Sequence, residues 1–126
     1  MTVYIDTQVM VWLSAGLPGK LSAAAAAAIE ESDVLISPMV MLELQYLYEI
    51  KRIVKAPLAL LGDLETQIGL KQSELAFSAV IRAGLFETWT RDPFDRVITA
   101  HARADRMLPL VTPDQKIREN YPRAVW

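Results

Sequence analysis

At 126 residues the chain has the size of one domain, long enough to bury an apolar core unaided, and 52% of it is hydrophobic. It contains no cysteine, which excludes disulfides, thiolate metal sites and thiol redox chemistry and suits a reducing compartment. The net charge of −2 excludes general attraction of the whole molecule to a polyanion, so any phosphate binding must be local. That charge is unevenly divided: residues 1 to 50 hold one basic residue, Lys20, against six acids, and residues 51 to 126 hold twelve against nine. Neither a basic leader nor an apolar run approaching about 18 residues occurs, so the expected location is the cytoplasm.

The chain opens with a short strand over residues 2–5, then shows helical periodicity from Thr7 to Ala15. A turn at Gly16 to Gly19 precedes a helix built on Ala23 to Ala28, the strongest helix former in series, with Ser22 placed to cap it. Residues 33–36 read as a second strand. Ser37-Pro38 starts the next helix, serine as N-cap and proline first, and the apolar pattern carries it to about Val54. Gln45, Glu49 and Arg52 are its only polar stripe, so much of its surface needs a core or, in so small a domain, a partner. Pro57 to Gln67 and Ser73 to Leu85 are helical, with Gly69 and a strand-like Leu70 to Gln72 between them. A helix from Pro93 to about Arg106, a strand over 108–111, a short helix from Pro113 to Asn120 and an edge strand at Ala124 to Trp126 complete the order. Strands alternating with helices give an α/β fold, a parallel sheet with helices on both faces. No linker, repeat or boundary breaks residues 1–126 into more than one domain.

Four acids stand where an acid needs a special reason. Asp6 ends the apolar run Val3-Tyr4-Ile5 and has an ordinary explanation as a helix N-cap. Asp92 before Pro93 is likewise a cap, which puts Asp95 at the third helical position, where the helix dipole favours a negative charge. Thr112-Pro113-Asp114 repeats the pattern, with threonine as cap and the acid second. Glu43 has no such excuse, because it sits inside Met39-Val40-Met41-Leu42-Glu43-Leu44 with no basic residue between Lys20 and Lys51 to pair with it. A buried carboxylate without a partner costs several kcal/mol or takes up a proton, so a metal ion or a distant arginine must compensate it. In an open α/β sheet the carboxyl ends of the strands share one edge, where ligands bind. Asp6, Glu43, Asp95 and Asp114 then form one acidic cleft, and clustered carboxylates are hard ligands for Mg²⁺ or Mn²⁺.

Asp6-Thr7 with Trp12-Leu13, Ser37 to Glu43-Leu44, Arg91-Asp92-Pro93-Phe94-Asp95-Arg96 with Ala100, Leu110-Val111-Thr112 with Asp114, and the terminal Val125-Trp126 together resemble a PIN-domain ribonuclease. The likeness is to the VapC-type toxins of type II toxin-antitoxin pairs and spans essentially the whole chain. It implies a three-layer α/β/α fold with a mostly parallel sheet of about five strands, and endoribonuclease activity with Mg²⁺ or Mn²⁺ as cofactor. It also implies 5′-phosphate and 3′-hydroxyl products, a small VapB-like antitoxin as partner, and a homodimer. Position by position, the resemblance assigns catalysis and metal binding to Asp6, Glu43, Asp95 and Asp114. Thr7 and Thr112 match a hydroxyl near the metal, and Asp92 and Arg96 are further accessory candidates, Arg96 as a buttress for a site carboxylate. Gln8 departs from the histidine, asparagine or serine common in relatives.

Arg91, Arg96, Arg103, Arg106, Lys116 and Arg118 are candidates for RNA phosphate contacts, against a solvated face or pairing with Asp92 and Asp105. His101 lies about 240° round its helix from Asp95 and reads as a surface or packing residue. A phospho-acceptor receiver domain also uses strand-end aspartates and Mg²⁺, but it wants an acidic pair where Asp6 stands alone. A haloacid-dehalogenase phosphatase needs an acid where Gln8 stands. The remaining alternative is a PIN-fold module that binds nucleic acid or a partner without cutting RNA.

Overall fold

The computed structural model describes all 126 residues and builds one five-stranded, all-parallel sheet. In chain order the elements are β1 (Thr2–Ile5), α1 (Thr7–Ser14), a 3-10 turn (Pro18–Lys20), α2 (Ala23–Glu30), β2 (Asp33–Ile36) and α3 (Pro38–Glu49). There follow α4 (Pro57–Ile68), β3 (Lys71–Gln72), α5 (Phe77–Gly84), α6 (Pro93–Ala104), β4 (Leu110–Val111), α7 (Gln115–Asn120) and β5 (Ala124–Val125). The strand order is β3-β2-β1-β4-β5. No helix is long and apolar enough to cross a membrane.

This order explains the composition of β1. As the central strand it is covered on both faces, so Val3, Tyr4 and Ile5 are all buried and no polar alternation survives. β1 pairs with β2 on one side, Tyr4 opposite Leu35, and with β4 on the other, Ile5 opposite Val111. The chain first winds outward from β1 through β2 to β3, then returns to lay β4 against the opposite edge of β1. The carboxyl ends of β1 and β4 therefore flank the point where the winding reverses, the crevice that open α/β sheets use for ligands. Asp6 and Thr112 are the first residues past those two ends.

Of the element boundaries that differ from the sequence reading, four are set by hydrogen bonds or backbone conformation that the sequence does not display. α3 stops at Glu49 rather than near Val54, because Lys51 turns left-handed at φ 62°. The Arg52 amide donates to the Leu47 carbonyl at 2.8 Å and the Lys51 amide to that of Tyr48 at 3.1 Å, the paired bonds of a Schellman stop. α5 starts at Phe77 and not Ser73, since the Ser73 amide is held by Ile36 at 2.9 Å and its hydroxyl by the turn to Leu75. β4 is confined to Leu110–Val111 because the Leu108 amide is taken by the Ala102 carbonyl at the end of α6. α7 is capped by Asp114 and not Thr112. α3 itself buries Val40 and Leu44 and leaves Leu42, Tyr46, Tyr48 and Ile50 exposed, so its open apolar face is as expected.

Lysine at a left-handed position is strained relative to glycine. Lys51→Gly is expected to stabilise the protein by about 0.5–1 kcal/mol. Urea unfolding measures it, and a midpoint that stays put or falls would remove the Schellman stop as the reason α3 ends there.

Candidate metal centre

Each acid reaches the cleft through a local backbone requirement. Asp6 is the N-cap of α1, with Oδ1 accepting the Thr7 amide at 2.8 Å. Its other oxygen, Oδ2, accepts the Thr112 hydroxyl at 2.6 Å, a bond that spans the chain from β1 to β4. Thr112 in turn accepts the Asp114 amide at 3.0 Å, and Asp114 Oδ1 caps α7 by accepting the Ile117 amide at 3.0 Å. Thr112 is thus the joint that fixes Asp6 and Asp114 relative to each other.

Glu43 projects from the middle of α3 and is half-buried, not sealed in apolar surroundings. One of its oxygens accepts the hydroxyl of Thr7, so Thr7 ties two acids together through its amide and its side chain. Neither a distant arginine nor a lysine compensates Glu43. Asp95 sits in the first turn of α6, whose cap is Asp92, bonded to the amides of Phe94 and Asp95 at 2.8 and 3.3 Å.

Asp6, Thr7, Gln8, Glu43, Leu47, Asp95, Pro113 and Asp114 line one open cleft of about 310 Å³. No basic side chain is among them. The four sequence-derived acids are brought together, with Thr7 beside them. Thr112 stands behind Asp6, and Asp92 faces solvent at the cap of α6. Arg96 is not a buttress for a carboxylate. Its Nε donates to the Gly84 carbonyl at 2.8 Å, and its remaining nitrogens reach the Thr90 and Leu85 carbonyls at 3.4 Å, so it secures backbone at the end of α5. Leu47 lines the cleft as its place four residues after Glu43 on one helix face leads one to expect, whereas Pro113 reads from the sequence only as a helix start.

The electrostatics follow from crowding without a counter-charge. Burial pushes the Asp6 carboxyl up from its ordinary value; its hydrogen bonds to Thr112 and Thr7 oppose that, and the charges of Asp114 and Asp92 add to it. Glu43 is raised by burial, eased by the Thr7 hydroxyl, and raised again by Asp6, Asp92 and Asp114. Asp95, whose carboxylate accepts no hydrogen bond, is pushed up to about 7 by burial and then by Asp6, Asp92, Asp114 and Glu43.

As the side chains stand, no three of the carboxylates converge closely enough to share one ion. The donor set nonetheless fits a divalent hard cation: all ligands are oxygens, Asp95 is unbonded, and Glu43 and Asp114 each keep an unbonded oxygen.

A PIN domain family model matches residues 3–121. The chain belongs to the PIN domain family. PIN domains are generally metal-dependent nucleases. Comparison with curated proteins found no match. Among solved structures this PIN domain resembles a chain of VapBC2 from Rickettsia felis, a complex bound to a DNA fragment from its promoter, with TM-score 0.65 and 18% identity. The match covers 98% of this chain and 96% of the other. At that identity the likeness is one of fold.

The raised Asp95 sets a pH dependence. Its folded value near 7 lies above the ordinary 3.8, so between those limits the native state holds a proton that the unfolded state has released. The contribution of Asp95 to the stability of the metal-free protein therefore falls as pH rises from about 4 to about 7, and the raised Asp6 and Glu43 act in the same direction. Thermal melting across that range measures it. Asp95→Asn is expected to flatten the profile and raise the melting temperature at pH 8, and Mg²⁺ to raise that of wild type; a wild-type profile that climbs toward pH 7 would contradict the crowding.

Proposed function

We propose that the protein is a metal-dependent endoribonuclease, the VapC-type toxin of a type II toxin-antitoxin pair. The observation that carries this reading is the gathering of four carboxylates, with no basic side chain, at the switch point of a PIN-domain sheet. Mg²⁺ or Mn²⁺ is the cofactor, and Asp6, Glu43, Asp95 and Asp114 are its ligands and the catalytic set. Residues 1–126 act as one PIN domain.

When bound, the divalent ion supplies Lewis acidity and the positive charge that a phosphodiester under attack requires. The chain's own contribution is placement. Thr112 fixes the orientation of Asp6, Thr7 joins Asp6 to Glu43, and the α6 cap at Asp92 presents Asp95. Pro113 and Leu47 complete the lining of the cleft that a phosphate would enter. His101 takes no part, because it is 1% exposed with Nε2 against the Ser73 hydroxyl at 2.9 Å.

The VapBC2 likeness supports a VapB-like antitoxin as partner, and the open apolar side of α3 gives such a segment, or a second copy in a homodimer, a surface to cover. The alternative, a PIN-fold module that binds nucleic acid or a partner without RNase activity, keeps the cleft but removes the chemistry.

Incubation of antitoxin-free protein with an RNA pool in Mn²⁺ or Mg²⁺ tests the reading. EDTA and Asp95→Asn are each expected to lower cleavage by about a hundredfold or more. Indistinguishable RNA profiles from wild type and Asp95→Asn would leave the binding module as the better account. Thr112→Val removes the hydroxyl behind Asp6 and is expected to weaken Mn²⁺ binding by about tenfold, read by calorimetry. Unchanged affinity would deny Thr112 its orienting role.

A further inference from the structure

The four acids account for the floor of the cleft but not for its rim. Tyr46 follows Glu43 by three residues on α3, about 4.5 Å further along the axis. Phe94 immediately precedes Asp95 on α6. Their rings meet across the two helices with centroids 6.0 Å apart and planes inclined by 33°. Phe94 is half-buried and packed against the main core, whereas Tyr46 is 52% exposed. Phe94 is thus a fixed backing, and Tyr46 leans on it with half its surface in solvent. Leu47, the next residue in the chain, lines the cleft beside Glu43.

A nucleic acid strand entering this cleft meets only carboxylates, hydroxyls, an amide and apolar groups. The cleft lining itself offers the strand no ionic grip, the exposed Arg91 and Lys116 lying outside it, so a nucleotide beside the reacting phosphate gains from a contact that does not depend on charge. Base stacking on an aromatic side chain is such a contact, and a ring already restrained by a second ring loses little freedom in making it. Base faces are available only where the strand is unpaired.

We propose that Tyr46, backed by Phe94, is a stacking platform for an unpaired base next to the phosphate that enters the cleft. This inference rests on the nuclease reading above. Tyr46 acts on binding and not on the reacting atoms, and its loss appears in KM with kcat retained.

The test titrates full-length Asp95→Asn protein, in Mn²⁺, into a single-stranded RNA oligonucleotide carrying 2-aminopurine and into its duplex. Tyr46→Ala, Tyr46→Leu and Tyr46→Phe are compared in that background, and cleavage kinetics are taken with the same Tyr46 substitutions on otherwise wild-type protein. Tyr46→Ala and Tyr46→Leu are expected to lose about tenfold in single-strand affinity, the worth of one base-on-ring stack. Tyr46→Phe is expected to stay within about twofold, and duplex binding to be indifferent to all three. Tyr46→Leu keeps apolar contact with Phe94, so its loss separates the ring from mere packing. The proposal is overturned by equal affinities for all variants, by absence of single-strand binding, or by Tyr46→Ala converting a dimer to a monomer in sedimentation while affinity is untouched. The last result assigns the face to a second copy. Tyr46-dependent binding of a strand that wild type leaves uncut supports the platform and sinks the nuclease reading alone.

Discussion

Like charges confined to one cleft are the constraint around which this molecule is arranged. Every protein donor that reaches the four carboxylates is neutral: the Thr7 amide and Thr112 hydroxyl on Asp6, the Thr7 hydroxyl on Glu43, and the Ile117 amide on Asp114. Neutral donors fix orientation without cancelling charge. An arginine in the same place would have stabilised the metal-free fold and lowered the carboxyl pKa values, while occupying the lone pairs an ion needs. Asp6, Glu43 and Asp95 are raised first by burial and then by the neighbouring charges left unmet, a combination that marks candidate functional sites.

Holding such a cluster requires stiffness elsewhere, and α6 supplies much of it. Arg96 and Arg103 are seven residues apart and so lie on nearly one face of the helix. Arg96 grips the carbonyls of Gly84, Leu85 and Thr90. Arg103 pairs with Glu87, which is 2% exposed and also receives the Trp89 indole, and lies over the Tyr121 ring at 5.1 Å. The segment between α5 and α6 is therefore pinned at both ends, and with it the start of α6 that presents Asp95. Breaking the Arg103–Glu87 pair would strand a buried carboxylate, a far greater loss than that of an exposed ion pair. Two of the six basic residues that looked available to RNA are thus structural, and Arg106 is engaged with Asp105 at 3.1 Å, which leaves Arg91 exposed before α6 and Lys116 and Arg118 exposed on α7.

What the sequence disclosed and what it hid follow from the range of the interactions concerned. The alternation of strands and helices, the Asp92-Pro93 cap with Asp95 two residues on, and the four acids at one edge are local patterns set into a known sheet logic, and they were legible. The end of α3 was not, because its stop uses Lys51 where a glycine would have announced it. Ser73 read as a helix start because nothing local reveals that Ile36, on another strand, holds its amide. Thr112 passed for the cap of α7 because its hydroxyl has two claimants, and only the arrangement of β1 beside β4 decides that it donates to Asp6 while Asp114 takes the cap. Arg96 was misjudged for the same reason: its carbonyl partners lie up to twelve residues away and carry no sequence signature.

The capping and functional explanations of these acids are one physical fact. Asp6 caps α1, Asp114 caps α7, and Asp95 lies in the first turn of α6, so three helices direct their amino ends toward the cleft. Each amino end carries partial positive charge and unpaired N–H groups, which favour a carboxylate by about 0.3–1 kcal/mol at an exposed site and more where water is scarce. A cap contributes about 1 kcal/mol to its own helix as well. Carboxylates placed anywhere else on the sheet edge would bring repulsion alone. Placed at helix starts, they return part of that cost to the fold while keeping their outward lone pairs free. Glu43 is the exception, lying mid-helix without a dipole to face, and the Thr7 hydroxyl is its one hydrogen-bond donor. The fold thus tolerates a site that destabilises it by seating most of the offending charges where three helices would have wanted an acid in any case.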